Sequence, residues 1–209
     1  SELKIKSVLK HILNGFLSLF LYLKKSFYPI DLSPDYSFNQ VPVVRNIFSS
    51  PQAIIGLILL LGIIAIIIFG QKKLKVAASI LLVPFFFISN MFFVTSGSFA
   101  ERWWYFPSFG LVVMVAILID WVVGKYKKLK TPIFALLLIT VVWFSFLIVK
   151  QNRIWFDNKS FFVYAARLSP NSAWARSNLA AVYLAEKNFE KAKEEVEASL
   201  LVYGANLPA

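Results

Sequence analysis

Three stretches of the chain, residues 53–70, 76–94 and 132–149, carry apolar residues without a single charged interruption. At about 1.5 Å of rise per residue each nearly matches the roughly 30 Å hydrocarbon thickness of a bilayer, which predicts three membrane-spanning helices. Residues 107–123 form a similar run with one acid, Asp120, near the far end, and are predicted as a fourth span. Residues 8–28 mix Leu9, Ile12, Leu13, Phe16, Leu17, Leu19, Phe20 and Leu23 with Lys10, His11 and Asn14, a pattern that suits a span or an interfacial amphipathic helix and is counted here as a fifth span. The expected fold class is therefore all-α, with a multispanning transmembrane helix bundle of about five spans over residues 1–150.

After Lys150 the pattern changes to mixed charge with helical periodicity. Leu179, Ala180, Tyr183, Ala192 and Val196 stand at the spacing of a tetratricopeptide repeat, which needs small residues where its two helices cross. Phe162, Ala165 and Pro170 continue the same register backwards into the end of a preceding unit. Arg176, Ser199 and Gly204 stand where an aromatic, an Ala and a Pro are usual. Residues 151–209 are thus expected to form a short tetratricopeptide-repeat α-solenoid of about one and a half units, with a plain helical hairpin as the alternative. A stable stack needs about three units, so the chain is expected to continue past Ala209.

Loop charge orients the bundle, because Lys and Arg are retained on the cytoplasmic side. Lys72, Lys73 and Lys75 fill one loop and Lys125, Lys127, Lys128 and Lys130 another, so both are expected inside. The loops over residues 29–52 and 95–106, with one Arg each (Arg45 and Arg102), then face outward together with the repeats, although Lys24, Lys25, Lys150 and Arg153 fall on that side as well. Composition agrees with lipid as the main solvent: 58% of the 209 residues are hydrophobic, 16% are charged, and mean hydropathy is +0.67. With no Cys and one His, disulfides, thiolate metal sites, iron–sulfur clusters and thiol nucleophiles are excluded, and no metal site is expected. The opening residues lack a Met start and a cleavable leader, and the chain is expected to be a piece of a longer protein.

No Gly-rich phosphate loop, Gly-x-Ser-x-Gly elbow or His-Glu-x-x-His helix occurs, which directs attention to the outward loops. Residues 27–44 read FYPIDLSPDYSFNQVPVV and residues 97–110 read GSFAERWWYFPSFG. Both set aromatics, prolines and charges at the bilayer surface, where a lipid-linked substrate exposes its phosphate. The guanidinium of Arg102 suits phosphate oxygens, with Glu101 to orient it and an aromatic wall to exclude water. Equally, Trp103, Trp104 and Tyr105 suit an interfacial belt, with Arg102 on ordinary headgroups. Lys24 and Lys25 suit snorkelling anchors that also add positive potential to a phosphate site. Asp35, between Pro34 and Tyr36, suits a turn cap. Asp120 is read as a partner of Lys125 or Lys127, Ser89 and Asn90 as a bond to a neighbouring helix, Lys10 and Asn14 as one helix edge that lines protein or the cytoplasmic interface, and Asn158-Lys159-Ser160 as an outward glycosylation sequon of little weight.

Tyr28-Pro29, the run Leu32-Ser33-Pro34-Asp35-Tyr36-Ser37, the run from Glu101 through Trp103, Trp104 and Tyr105 to Gly110, and the repeats that follow occur in one order. In this the chain resembles the transmembrane and tetratricopeptide-repeat O-mannosyltransferases and their prokaryotic relatives, over about residues 5 to 205. The resemblance implies a multispanning C-type glycosyltransferase that takes a sugar, with mannose the candidate, from a polyprenyl or dolichyl phosphate on the extracytoplasmic face of a bacterial or archaeal membrane. It implies donor-phosphate binding at Arg102, Glu101, Lys24 and Lys25, and an acceptor cleft shaped by Asp35, Tyr36, Trp103, Trp104 and Tyr105. The family's catalytic acid sits in a first outward loop with no counterpart here, so the chain is expected to be the C-terminal half, with that acid upstream of Ser1 and no turnover by itself. Expected partners are membrane lipid, the lipid-linked sugar as substrate rather than cofactor, and a protein acceptor or partner on the repeats, with no nucleic acid. The alternatives are a membrane-anchored repeat scaffold without catalysis and an O-antigen ligase or polymerase-like enzyme.

Overall fold

Every regular element that the computed structural model describes is helical, over residues 2–34, 36, 41, 43–91 and 99–205. In chain order these are α1 (Glu2–Phe27), α2 (Pro51–Phe69), α3 (Lys72–Ile88), α4 (Tyr105–Lys125), α5 (Lys130–Ile154), α6 (Asn158–Leu168), α7 (Ala173–Ala185) and α8 (Phe189–Ala205). Short 3₁₀ turns at Ile47–Ser49, Glu101–Trp104 and Lys127–Leu129 lead into α2, α4 and α5. The all-α expectation holds.

The number of spans does not. Among the described residues three helical stretches, Pro51–Phe69, Glu101–Lys125 and Lys127–Ile154, are long and apolar enough to cross a membrane, where five were expected. The physical reason is local. Helix α3 has 17 residues, about 25 Å at helical rise, and its first turn carries Lys72, Lys73 and Lys75. Helix α1 is long enough, but Lys4, Lys6, Lys10, Lys24 and Lys25 dilute its apolar content. The three spans make the chain an integral-membrane protein.

The chain divides into two compact units, Ser1–Pro29 with Val43–Trp143, and Ile30–Pro42 with Phe144–Ala209. In the first unit α1 packs on α2, α2 on α3, and α3 on α4. Contact is close because small residues lie at the crossings. A Cβ added at Gly56 would overlap the Phe16 carbonyl of α1, and one added at Gly110 would overlap the α3 backbone between Ala77 and Leu81. Without water to drive burial, such backbone approach is what holds apolar helices together. Asn14 donates its amide to the Lys10 carbonyl at 2.7 Å and accepts the Val44 N–H at 3.0 Å, so its polarity is spent inside the unit, as expected for that edge. Helix α5 buries no residue at all, although it is apolar on every side. Lipid is the solvent that such a surface requires.

In the second unit α6 packs on α7 and α7 on α8. Ala165, Ala166, Ala175 and Leu179 form the core, with Phe162 and Tyr183 against them, and Ala180 and Ala192 are also buried. Of these, Phe162, Ala165, Leu179, Ala180, Tyr183 and Ala192 stand at the repeat spacing, whereas Ala166 and Ala175 are not marked by it. Two of the three departures from the repeat pattern carry bonds of their own. Arg176 donates Nε to the Pro170 carbonyl at 2.6 Å and Nη1 to Glu195 at 2.8 Å, tying α8 to the α6–α7 turn. Ser199 donates to the Ala173 carbonyl at 3.0 Å and shares a 2.7 Å hydroxyl bond with Ser177. What is shown is three helices packed in succession. Loop Ile30–Pro42 belongs to this unit through a buried 2.7 Å bond between the hydroxyls of Ser33 and Ser169.

Candidate functional site

The site begins with helical spacing near the end of α1. Tyr22 and Ser26 lie at i and i+4 and therefore share a face. Tyr22 is buried, stacked between Phe99 (4.3 Å between centroids) and Trp104 (4.8 Å, planes 3° apart). Its hydroxyl donates to the Ala100 carbonyl at 3.2 Å, and the Ala100 N–H points back at it from 3.4 Å. The indole N–H of Trp104 donates to Ser26 Oγ at 2.7 Å, and that hydroxyl in turn donates to the Tyr22 carbonyl at 2.9 Å. Phe85 of α3 closes the cluster edge-on against Trp104, 6.2 Å away. This latch fixes the 3₁₀ turn Glu101–Trp104 against the end of α1.

Two of the expected phosphate-site residues are thereby brought together. Lys25 Nζ lies 4.0 Å from Glu101 Oε1, and both side chains are half-buried. Glu101 thus has an ion-pair partner on α1, whereas sequence reasoning had it orienting Arg102. Arg102 is exposed, with its guanidinium 5.6 Å from the Trp103 ring centre. Lys24 and Tyr105 are exposed as well, Trp103 is half-buried, and Trp104 is fully engaged in the latch. The turn therefore presents one exposed cation, Arg102, and one paired cation, Lys25, beside aromatic rings.

Tyr36 is found in the second unit, its hydroxyl accepting the Ser33 N–H at 3.1 Å. Asp35 lies outside the described residues. Asp120 is exposed on α4, and Lys125 instead faces the rings of Trp121 (5.3 Å) and Tyr126 (5.4 Å). Ser89 donates to the Phe86 carbonyl of its own helix at 2.9 Å. Tyr22, Ser26 and Phe99 were missed by sequence reasoning, although an aromatic and a hydroxyl four residues apart on an apolar helix were there to be read.

A largely apolar groove of about 890 Å³ runs between α3 and α4, lined by Val76, Ile80, Val83, Tyr105, Phe106 and Phe109 among others, with Lys75 also on its wall. Tyr105 links it to the cationic turn. Among the described residues no group of three or more His, Asp or Glu is placed to hold a metal ion. The arrangement can bind an anion beside an apolar chain, and Glu101 is the only carboxylate of the turn itself.

Comparison with known proteins finds similarity to O-mannosyl-transferases. The chain is 30% identical over 160 residues to mouse protein O-mannosyl-transferase TMTC1, covering 73% of this chain and 17% of that protein. It is 28% identical over 139 residues to Xenopus laevis protein O-mannosyl-transferase tmtc2, 66% of this chain and 16% of that one. It is 26% identical over 172 residues to human protein O-mannosyl-transferase TMTC3, 78% and 18%. The chain spans less than a fifth of the length of these relatives. No family model and no solved structure matches it.

Proposed function

We propose that the chain is part of an integral-membrane glycosyltransferase that uses a polyprenyl-phosphate sugar, with the turn Glu101–Trp104 and the end of α1 as the place where the donor phosphate sits. The observation that supports this is the latch, because it sets Arg102 and the Lys25–Glu101 pair on one aromatic turn beside an apolar groove, with Lys24 exposed on the same last turn of α1. A polyprenyl phosphate has the matching halves, an anionic head and a long apolar tail. The similarity to O-mannosyl-transferases supports mannose as the sugar, and the Lys-rich α4–α5 hairpin, expected inside, supports the extracytoplasmic face as the side of transfer. Helices α6 to α8 are read as tetratricopeptide repeats on that same side, where they recruit or present a protein acceptor, while Tyr36 and Asp35 shape its approach.

In this reading the chain's own residues bind and orient. Lys25 holds Glu101, which leaves Arg102 as the exposed guanidinium for a phosphate oxygen. A base that takes the acceptor's proton must stand within hydrogen-bond reach of it, and the family resemblance puts that carboxylate in another part of the protein. Arg102→Ala in the longer protein, assayed for binding of polyprenyl-phosphate mannose, is expected to weaken affinity about tenfold, the loss of one charge-assisted contact. Unchanged affinity would remove Arg102 from the site and leave the turn as a headgroup belt.

A further inference from the structure

The second unit carries an exposed patch of aromatic rings that the proposed function does not use. Trp155 follows α5 directly and packs on Phe161 at 4.7 Å between centroids. Phe161 meets Phe162 at 5.0 Å, and Phe162 meets Trp174 of α7 at 5.5 Å. Phe162 also packs against the Ala165–Leu179 core, so the cluster is fixed to the folded unit rather than loosely attached. Its outer rings remain open, Trp155 at 61% and Trp174 at 46% exposure, and Phe156, next to Trp155 in the chain, is 88% exposed. Lys150 and Arg153, both exposed, precede the cluster on the last turns of α5.

The length of α5 decides what this patch meets. Its 25 residues extend about 37 Å at helical rise, against about 40–45 Å for a bilayer with its headgroups. A helix that crosses the membrane with Lys130 at one surface therefore brings Lys150 and Arg153 to headgroup level at the other, with Trp155 at its rim. Trp and exposed cations favour that layer, since the ring is apolar and its N–H wet. Trp174 is 19 positions further along the chain and belongs to another helix, yet the Phe161–Phe162 bridge sets it beside the same rim.

We propose that Trp155, Phe156 and Trp174 form a membrane-surface docking patch that seats α6 and the start of α7 on the headgroup region of the bilayer spanned by α5. The occupant is the phospholipid surface itself, because the patch is continuous with the lipid-facing surface of α5 and carries Lys150 and Arg153 at its edge. This inference is independent of any glycosyl transfer.

The absence of Cys allows single dyes to be placed without background. Phe156→Cys, Trp174→Cys and, as a control on α8, Leu201→Cys are each labelled with an environment-sensitive dye in the full chain, reconstituted in phosphatidylcholine–phosphatidylglycerol vesicles. Spin labels at carbon 5 of the lipid acyl chain, and iodide in the buffer, serve as quenchers. The dyes at 156 and 174 are expected to lose most of their emission to the lipid-borne label and little to iodide, with the reverse at 201. Quenching by lipid at 156 alone would be the simple continuation of α5 and overturns the proposal. So does equal lipid quenching at 201, or a dye at 174 reached by iodide or shielded from both quenchers, the last meaning that protein covers the patch. Because Trp174→Cys removes a ring of the cluster, Trp174→Phe is measured in brominated-lipid vesicles against the unaltered chain. The tryptophan emission lost with the substitution is expected to be the quenchable kind, and an unquenchable loss overturns the proposal.

Discussion

At the scale of single residues, Trp103 and Trp104 are neighbours with opposite roles. Trp104 is buried, stacked on Tyr22 and bonded to Ser26, whereas Trp103 is half-buried and faces Arg102. Trp104→Ala removes a stacked ring and leaves a cavity, so it is expected to destabilise the purified protein by about 3 kcal/mol in a thermal or denaturant unfolding series. Trp103→Ala is expected to cost well under half of that, and equal losses would show that the latch is not what holds the turn. Sequence reasoning grouped both rings as one aromatic wall, because adjacent residues of the same type carry no mark of which one faces inward. That choice is made by Tyr22, 82 positions earlier in the chain, and by Phe85 of α3.

At the scale of elements, two helix features give opposite kinds of test. Gly110 sits where α4 touches the α3 backbone, while Gly62 of α2 has nothing within 4 Å of where a Cβ would stand. Gly110→Leu is expected to force α3 and α4 apart and lower stability by about 1–3 kcal/mol, whereas Gly62→Ala is expected to be neutral or slightly stabilising. Unfolding of both variants in the same lipid environment checks the contrast. Helix α6 offers a pH test. Asp157 caps it by accepting the Ser160 N–H and hydroxyl, each at 2.8 Å. Those two bonds, with Lys159 adding to them, hold the exposed Asp157 carboxyl below its usual range. A depressed folded value means that the stabilisation is complete above the unfolded pKa of about 3.9 and is lost as pH falls through the folded one. Asp157→Asn keeps a capping side chain without the titration, so amide exchange in the first turn of α6 is expected to lose its acid dependence below about pH 4. An unchanged acid profile would mean that the cap does not depend on the carboxylate charge.

At the scale of the whole molecule, α4 and α5 are two successive spans, so the Lys-rich α4–α5 hairpin is expected on the cytoplasmic side of the membrane and the turn Glu101–Trp104 and the chain after α5 on the other. With no native thiol, Asn171→Cys is expected to react with an impermeant reagent from outside, and Lys128→Cys only after the membrane is opened. Labelling of position 128 in sealed cells would reverse the orientation. The local sequence already determined that the chain is helical, that lipid surrounds much of it, and that Leu179, Ala180 and Ala192 lie at helix crossings, because apolar run length and small-residue spacing are short-range properties. Its resemblance to O-mannosyltransferases was legible for the same reason, in ordered motifs. Only the tertiary structure decided that α3 ends at Ile88, that Glu101 pairs with Lys25, that Ser33 bonds Ser169 at the α6–α7 turn, and that Trp174 stands beside the aromatic rim of α5. Each of these depends on where a helix ends or on which distant backbone packs against it, and a pattern confined to neighbouring residues does not encode either.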